Sequence, residues 1–584
     1  MTDIIIGIDL GTTNSEVALY ENGKVTVIEG EGGKIMPSFA GIDENGALLV
    51  GVAARNQYVV YPERTVKSIK RRMGEDVRIA LGEQSYSPQE ISAILLKQLK
   101  AAAEKYVGAP VNKAVITVPA YFSDAQRLAT REAGEIAGLE VVKMINEPTA
   151  AALVYESGHQ GSRKVLVYDL GGGTFDVSVV AIEDDVIEVI SSHGNNHLGG
   201  DDFDLKLVEH LCDYLRLEHG VEALPPQAMA RIERAAETAK KILSDHPFAM
   251  VEEEYLLEKD GMPLHLKVEI ARHNYEEMIE SYIDDTMEAV HQALSDAGLA
   301  ASDMDEVLLV GGSTRTPLVR ERLEMDFGMT PRGEVDPDLC VASGAALQAA
   351  LINGSRIQSV LVDVTPYTFG TSALGELDGE FTPYLFVPLI KKNTPVPVSK
   401  SEVFYTAVHD QEAVDILVCQ GEDPDARNNI EIGSFLVRGL SRVPAGNEII
   451  ACFSLDTDGI LHVSAREKAT GLEKSITIEN AMARFEENEL AKARNKVRRL
   501  FGEAGDTAAD DAGPEAGKAE PDAVVQARLL IEKAEKLLDA AEEDDRLEMI
   551  ELIEAMQDGL AAGDIAELVE PMDELSEIIF YLES

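Results

Sequence analysis

Two segments about 160 residues apart share one pattern, and this internal repeat constrains the fold more than any other feature of the chain. Ile6–Leu19 reads IGIDLGTTNSEVAL, and Leu166–Val180 reads LVYDLGGGTFDVSVV. In each segment an apolar run ends in Asp-Leu-Gly, small turn residues follow, and an apolar run resumes. Apolar runs on both sides of a glycine turn predict a β-hairpin. The pair therefore predicts two related lobes that face each other.

Glycine-rich turns suit phosphate binding, because backbone N–H groups can approach an anion closely where no Cβ intervenes. Small hydroxyl residues in the two turns, Thr12, Thr13 and Thr174, add donors for phosphate oxygens. An aspartate at the end of a strand can hold a water of Mg²⁺ or orient an attacking water, and Asp9, Asp169 and Asp176 are placed in this way. Either segment alone is compatible with an ordinary hairpin, but the pair predicts a nucleotide site.

Common nucleotide-loop motifs do not explain this site, since no Gly-x-x-x-x-Gly-Lys-Ser/Thr occurs and no Gly-x-Gly-x-x-Gly opens a helix. An ATP site built from paired hairpins resembles the actin-like and sugar-kinase-like ATPase superfamily. Lys70 is then a candidate cation for the γ-phosphate, the alternative being a surface lysine on a basic helix.

Two more segments are candidates for the adenosine end. A turn containing Gly311, Gly312, Ser313 and Arg315 follows the apolar strand Val307–Val310. In the helical run Glu237–Ser244, four polar residues share one face because they are spaced at i, i+3, i+4 and i+7; they are Glu237, Lys240, Lys241 and Ser244. This face is either a salt-bridged exposed surface or a ribose-binding edge.

The pattern of elements divides the chain into three regions. Strand and helix patterns alternate up to about residue 352, which indicates an α/β architecture. Short β-rich runs fill residues 364–478, with a hairpin signal at Asp458-Gly459, and predict an all-β sandwich or barrel. From about residue 482 the pattern is helical, with Ala483–Phe501 as one predicted helix and a Gly/Ala/acid-rich flexible segment at 502–522.

Composition excludes several classes of function. The net charge of -52, from 104 acidic and 52 basic residues, repels phosphate backbones, so we expect no nucleic-acid partner. No apolar run reaches the ~18 residues of a membrane span, and the start of the chain lacks the basic region of a signal peptide. The four cysteines lie far apart, which fits a reducing compartment. We therefore expect a cytoplasmic protein with no membrane partner.

Taken together, four motifs resemble the DnaK-type seventy-kilodalton heat-shock chaperones. They are Asp9–Ser15 (DLGTTNS), Asn146–Ala152 (NEPTAAA), Asp169–Val177 (DLGGGTFDV) and Gly311–Arg315 (GGSTR). The likeness covers nearly the whole chain, including Asn393–Pro397 and Asp458–Ala465. It implies a multidomain protein with a two-lobed α/β actin-like ATPase at 1–354, a linker at 355–366, a β-sandwich peptide-binding domain at 367–480, and an α-helical lid at 481–584 with a flexible acidic segment at 502–522.

Two departures from the family pattern favour a divergent bacterial member similar to the HscC type. Only 17 residues separate Lys70 from Pro88, where the family usually has a longer excursion. The flexible segment at 502–522 also interrupts a region that is continuously helical in the family.

The resemblance implies a role for each matching position. Phosphate-binding residues would be Gly11, Thr12, Thr13, Asn14, Gly171, Gly172, Gly173 and Thr174. The metal waters would be set by Asp9, Asp169 and Asp176, and the attacking water by Lys70 and Glu147, with Thr174 also catalytic. Adenosine would be held by Glu237, Lys240, Lys241, Ser244, Gly311, Gly312, Ser313 and Arg315.

Two further groups of positions match the family's peptide channel and its interdomain coupling. Thr371, Leu374, Phe404, Ala407, Val414 and Ile416 would line the channel, although sequence alone favours a sandwich core for most of them. Coupling would involve Pro119, Arg127, Val360, Leu361, Val362 and Asp363. By sequence alone Pro119 is a turn proline, Arg127 a helix-surface arginine, and 359–364 a short buried strand.

The implied activity is that of an ATP-dependent chaperone, an ATPase whose hydrolysis switches a clamp between low and high affinity for extended apolar peptides. ATP or ADP with Mg²⁺ would be bound, K⁺ being an optional ion. Partners would be unfolded polypeptide clients, a J-domain co-chaperone and, optionally, a nucleotide-exchange factor, with the chain itself a monomer. A sugar or acetate kinase of the same superfamily is the main alternative, and a filament-forming actin-like protein a third; both leave residues 364–584 without a role.

Overall fold

The structure is a computed structural model. It describes residues 3–156, 161–183, 186–333, 336–355, 360–377, 379–477 and 487–503, together with isolated positions beyond residue 530. Residues Met1–Glu503 form one compact unit, and Ala504–Ser584 form a second. The described positions of the second unit are helical, and the buried ones are Ile531, Ala534, Met549, Leu552, Ile553, Met556 and Leu575. The predicted flexible segment, apart from residues 502 and 503, lies outside the described residues.

The first lobe is built around a six-stranded sheet. Its elements are β1 (Ile5–Leu10), β2 (Asn14–Glu21), β3 (Lys24–Val27), β4 (Met36–Pro37), β5 (Ala40–Ile42), β6 (Leu48–Val50), α1 (Val52–Tyr58), β7 (Thr65–Val66), β8 (Ile79–Leu81), β9 (Gln84–Tyr86), α2 (Pro88–Val107), β10 (Lys113–Val118), α3 (Asp124–Ile136), β11 (Glu140–Asn146) and α4 (Glu147–Glu156). The sheet has the order β11-β10-β1-β2-β3, with β4 on β2. Strands β11, β10 and β1 are parallel, and β1 and β2 form an antiparallel hairpin.

The second lobe repeats this arrangement, as the internal repeat predicts. Its elements are β12 (Arg163–Leu170), β13 (Phe175–Glu183), β14 (Val186–Asn195), α5 (Gly200–His219), α6 (Pro226–Asp245), β15 (Phe248–Lys259), β16 (Met262–Ala271), α7 (Arg272–Asp296), β17 (Glu306–Val310), α8 (Pro317–Phe327) and α9 (Cys340–Ile352). Strands β12 and β13 form the second hairpin, and β17 lies parallel to β12 just as β10 lies parallel to β1.

Small residues let helices α4 and α9 pack closely between the two sheets. A Cβ on Gly344 of α9 would lie 1.9 Å from the carbonyl oxygen of Ala150 in α4, and one on Gly7 of β1 would lie 2.2 Å from the backbone nitrogen of Ala346. Side chains of both sheets, among them Ile5 and Val167, share one core with these helices. This shared core fixes the two hairpin turns relative to each other.

The linker and the β-sandwich continue from the second lobe. Their strands are β18 (Val360–Val364), β19 (Phe369–Leu377), β20 (Glu380–Ile390), β21 (Pro395–Val396), β22 (Val398–Tyr405), β23 (Ala413–Gln420), β24 (Ile430–Arg438), β25 (Glu448–Leu455), β26 (Leu461–Glu467) and β27 (Glu473–Thr477). Strand β18 pairs in parallel with β14 and antiparallel with β21, so the linker extends the sheet of the second lobe. Two four-stranded sheets, β20-β19-β23-β24 and β22-β25-β26-β27, form the predicted sandwich.

One more helix, α10 (Glu487–Leu500), follows the sandwich. It starts later than the predicted helix Ala483–Phe501, whose residues 483–486 lie outside the described part of the chain. Ala493 and Val497 of this helix are buried in the core of the first lobe, against α2 and α3. Within the described part of the chain, no helix combines the length and the apolar character needed to cross a bilayer.

Candidate functional site

The two glycine turns meet across the cleft between the lobes. A Cβ built on Gly172 would lie 1.8 Å from Oγ1 of Thr13, and one on Gly11 would lie 2.0 Å from the carbonyl oxygen of Asn14. A side chain at Gly172 would therefore clash with the opposite turn, and one at Gly11 would clash with its own turn. The cavity is lined by residues of both hairpins and of the Gly311 turn, namely Asp9, Gly11, Thr12, Thr13, Asn14, Glu16, Lys70, Glu147, Asp169, Gly171, Gly172, Thr174, Val310, Gly311, Gly312, Pro337, Asp338 and Val341.

Two polar atoms at this cavity have no hydrogen-bonding partner among the described residues: Oγ1 of Thr12 and Oδ2 of Asp169. Both side chains are buried, with 4% and 6% of their surface exposed. A buried polar group without a partner costs roughly 1–3 kcal/mol. The cavity is therefore suited to a polar ligand, and a phosphate chain with its cation fits these atoms.

Buried carboxylates dominate the electrostatics of the cavity. Lys70 forms an ion pair with Glu147, with 2.5 Å between Nζ and Oε1. Burial, followed by repulsion from Glu147, raises the pKa of Asp9 to about 7, and the same two causes raise the pKa of Asp176 to about 7. Among the described residues, no group of three or more His, Cys, Asp or Glu side chains is placed to hold a metal alone.

Asp176 connects the second turn to the segment that follows Pro119. Its two carboxylate oxygens accept hydrogen bonds from the backbone N–H groups of Ala120 and Tyr121, each at 3.0 Å. The structure thus places the segment that follows Pro119 against the second hairpin.

The structure places only some of the predicted adenosine-binding residues next to each other. Ser313 donates a hydrogen bond to the carbonyl of Gly171 at 2.8 Å, and Lys240 donates one to the carbonyl of Gly200 at 2.7 Å. A Cβ on Gly200 would lie 2.4 Å from Oγ of Ser313 and 3.1 Å from Nζ of Lys240, so these two side chains flank one position. The remaining charged candidates form partly exposed ion pairs, Glu237 with Lys241, and Arg315 with Asp336 and Asp338.

The expectation from sequence alone that Arg127 is a helix-surface arginine is wrong. Only 6% of this residue is exposed, and its guanidinium donates to the carbonyl of Ala120 and to Oδ1 of Asn146, each at 2.9 Å. The hairpin turn of the sandwich covers it, since a Cβ on Gly459 would lie 3.6 Å from Nε of Arg127. The contact between the domains buries this side chain, and sequence periodicity within one helix carries no information about such a contact.

The linker strand β18 is anchored to helix α4 of the first lobe. Asp363 accepts a hydrogen bond from Oγ1 of Thr149 at 3.0 Å. Leu361 and Val362 are partly buried in β18, whereas 58% of Val360 is exposed, so the expectation of a buried strand is wrong at that position.

Four of the peptide-channel candidates, Thr371, Leu374, Val414 and Ile416, lie on two strands of the sandwich that separate, whereas Phe404 lies in β22 of the other sheet and Ala407 follows that strand. Strands β19 and β23 pair only from Phe369 to Thr371. Beyond that point β23 pairs with β24, and β19 with β20. The candidates differ in burial: Thr371 and Ile416 are buried, Phe404 and Val414 are partly buried, and Leu374 and Ala407 are exposed.

Comparison with known proteins agrees with this geometry. The family model described as "Hsp70 protein" matches residues 5–79 and 75–583. The chain belongs to the Hsp70 family. The chaperone protein DnaK of Thermotoga neapolitana is 47% identical over 486 residues, which cover 82% of this chain and 80% of the relative. The chaperone protein DnaK of Thermosipho africanus is 42% identical over 582 residues, covering 98% of this chain and 95% of the relative.

As an Hsp70-family member the chain is an ATP-dependent chaperone that binds nucleotide and hydrolyses ATP. The two-lobed ATPase and the β-sandwich agree with this family. The kinase alternative receives no support from these comparisons.

Sequence reasoning missed several residues that line this Hsp70-family cleft, and two of them, Glu16 and Asp338, carry carboxylates. Glu16 lies in β2 directly opposite Asp9, is only 2% exposed and lines the cavity. Burial, then repulsion from Asp9 and Asp338, raises the pKa of Glu16 well above its ordinary value. The signal was present in the repeat, because Glu16 occupies the position of Asp176, which lies opposite Asp169 in the second hairpin.

Proposed function

We propose that the chain is an ATP-switched peptide clamp, and that the contacts described here belong to its ATP-competent, docked state. The observation that carries this proposal is the position of β18 as a strand of the second lobe's sheet. A linker in this position ties the sandwich to the ATPase. Release of β18 would free the sandwich, so a ligand that favours the docked state controls the peptide site.

In this proposal the two glycine turns hold the phosphates, with Gly11–Asn14 on one side and Gly171–Thr174 on the other. Ser313 and Lys240 lie where the adenosine end leaves the cleft. Glu147, held by Lys70, orients the attacking water. Asp9 and Asp169 hold the waters of Mg²⁺, which supplies positive charge to the phosphate oxygens when bound, with K⁺ as an optional further ion.

Loss of the γ-phosphate reaches the sandwich by a short path. Asp176 holds the segment after Pro119, and this segment contacts Arg127, which lies under the sandwich turn at Gly459. A shift of the second turn after hydrolysis would move this segment and loosen the docked sandwich.

The client site is proposed to lie in the opening between β19 and β23. An extended peptide placed there would find backbone groups of both strands, as in β-strand addition. Its central apolar side chain would contact Thr371, Val414 and Ile416, while Leu374, Phe404 and Ala407 lie at the rim. Residues 481–584 would form the lid over this opening.

The proposal also includes partner proteins. Contacts within a single chain do not test them. Clients are unfolded polypeptides, a J-domain co-chaperone would accelerate hydrolysis, and a nucleotide-exchange factor is an optional partner. We propose a monomer that acts in the cytoplasm, as expected for a divergent bacterial member of the HscC type.

One experiment tests the clamp. A fluorescent apolar heptapeptide is bound to the full chain, and its release rate is measured with ADP and then with ATP. We expect release to be faster with ATP by at least about tenfold, which corresponds to a coupling free energy of ~1.4 kcal/mol. Asp169→Asn, which removes a phosphate-site charge, should abolish the acceleration but keep peptide binding with ADP. Equal release rates in both nucleotides for the wild type would contradict the proposal.

A further inference from the structure

Thr371 lies at the base of the opening between β19 and β23. It is the last residue of β19 that pairs with β23, and its partners on the two sides are Val418 in β23 and Val387 in β20. Residues directly opposite each other on antiparallel strands point to the same face of the sheet. Val418 belongs to the sandwich core, so the side chain of Thr371 faces that core as well.

The opening above Thr371 has apolar residues on both sides. If the pairing of β19 with β23 continued, Ala373 would lie opposite Ile416, but the two strands separate there. Ile416 is buried in the sandwich core, and Val414, the next residue on the same face of β23, is partly buried against it. A peptide side chain that enters on this face would therefore meet apolar groups at its sides and Thr371 at its end.

The hydroxyl of Thr371 is buried without a partner. Only 2% of the residue is exposed, and its hydroxyl forms no hydrogen bond with any described residue. Three other threonines in this part of the chain are also buried, and each has a hydrogen-bonding partner. They are Thr365, Thr368 and Thr406, which bond to backbone groups of Tyr367, Lys392 and Asn447. Because a buried polar group without a partner is destabilising, a ligand that supplies the partner binds more tightly.

We propose that Thr371 selects clients whose central side chain carries a hydroxyl, with threonine favoured over the isosteric valine. The inference rests on the proposed client site between β19 and β23, and it narrows the class of peptide that this site takes. Threonine suits both parts of the position, because its methyl group can pack against Val414 and Ile416 while its hydroxyl bonds to that of Thr371. Valine has the same shape but leaves the hydroxyl of Thr371 without a partner, and a site built to bond a hydroxyl discriminates against an analogue that lacks it.

A double-mutant cycle with isosteric exchanges on both partners tests this pairing. Two heptapeptides carry threonine or valine at the fourth position, with alanine and arginine elsewhere, so that no other large apolar side chain competes for the opening. Their affinities for the ADP-bound full chain are measured by competition with a labelled apolar heptapeptide. We expect the wild type to prefer the threonine peptide and Thr371→Val to prefer the valine peptide. The threonine-to-valine affinity ratio should differ about fivefold or more between the two proteins, as expected for one hydrogen bond.

Ser401→Ala is the control for this cycle. It removes an exposed hydroxyl from β22, in the other sheet of the sandwich. This variant should keep the wild-type ratio, because its hydroxyl is open to solvent.

The stability of the client-free sandwich gives an independent readout. Thr371→Val removes a buried hydroxyl without a partner, so calorimetry of the full chain should show the sandwich unfolding at the wild-type temperature or above it. Thr406→Val removes a hydroxyl that accepts from the N–H of Asn447 at 3.0 Å, and it should lower that temperature. A lower unfolding temperature in Thr371→Val would mean that its hydroxyl already has a partner inside the fold, and this result overturns the inference.

The outcomes separate this inference from the function on which it rests. Equal threonine-to-valine ratios in the wild type and Thr371→Val overturn the inference while leaving the clamp in place. Failure of the wild type to bind the labelled apolar heptapeptide overturns the proposed client site itself.

Discussion

The hydroxyl of Tyr367, in the sandwich, donates a hydrogen bond to the carbonyl of Tyr121, in the first lobe, at 2.6 Å. The N–H of Tyr121 donates to Asp176, and its ring packs on that of Tyr367 with 4.8 Å between centroids. Tyr121 therefore touches both the second hairpin and the sandwich.

We expect Tyr367→Phe to weaken docking by about 1 kcal/mol, because it leaves the carbonyl of Tyr121 without this donor but keeps the ring packing. The acceleration of peptide release by ATP should fall roughly fivefold, as this free energy implies. Stopped-flow release of a labelled heptapeptide measures it. Tyr255→Phe, on an exposed hairpin of the second lobe, is the control and should behave as the wild type. Unchanged acceleration in Tyr367→Phe would exclude this hydrogen bond from the coupling.

Docking should weaken in acid because of His193. Its ring stacks on Tyr121 at 5.3 Å, and burial, followed by the charge of Lys392, lowers the pKa of His193 below 6.5. Asp296, which pairs with Lys392, opposes this effect only in part. A proton therefore binds the undocked state more tightly, so docking is fully stable above pH 6.5 and weakens as the pH falls below that value.

The measurement is the ATP-induced acceleration of peptide release between pH 7.5 and about 5.5. We expect a decline in the wild type and a flatter profile in His193→Gln, which cannot take up the proton. ADP affinity, measured in parallel, accounts for titration in the cleft. Identical profiles for the two proteins would rule His193 out as the cause.

Gly172 is expected to tolerate no side chain. The Cβ of Gly172→Ala would lie 1.8 Å from Oγ1 of Thr13, so the two turns must separate. Overpacking of this kind is unfavourable by about 1–3 kcal/mol, and nucleotide affinity should fall roughly five- to 150-fold. Calorimetric titration with ADP measures it. Gly30→Ala is the matched control, since its Cβ would meet its nearest neighbour, the Cβ of Ala102, at 3.8 Å.

The sequence alone predicts those features that arise from local residue patterns or from the internal repeat. The hairpins follow from apolar runs around glycine, and the helix from Pro88 follows from the Ser87/Glu90 capping box. The internal repeat likewise predicts that Asp9 and Asp169 lie on two hairpins that face each other.

What the sequence did not predict depends on contacts between distant segments. Arg127 is covered by the turn at Gly459, and these residues are 332 positions apart. The burial of Glu16 is set by the cavity between the lobes. The pairing of Arg315 with Asp336 and Asp338 likewise depends on how two loops meet.

Besides the buried Ala493 and Val497, Lys496 attaches helix α10 to the first lobe, and its Nζ donates a hydrogen bond to the carbonyl of Ser85 at 2.7 Å. Nζ of Lys496 lies 3.0 Å from Oε1 of Glu90 and 3.8 Å from the ring centre of Tyr86. Glu90 is only 2% exposed, so its charge is poorly screened by solvent. Tyr86 ends the short hairpin formed by β8 and β9, and this hairpin thus provides part of the docking surface for α10.

Lys496→Glu should release this helix, because it places a like charge beside a buried carboxylate. We expect amide hydrogen exchange in residues 487–500 to speed up by at least about tenfold with ATP bound, which corresponds to ~1.4 kcal/mol. Lys492→Glu makes the same charge change on the exposed face of the helix, one turn earlier, and should leave exchange within about twofold of the wild type, as expected for an exposed charge. Equal protection in the two variants would mean that Ala493 and Val497 hold the helix through apolar packing alone.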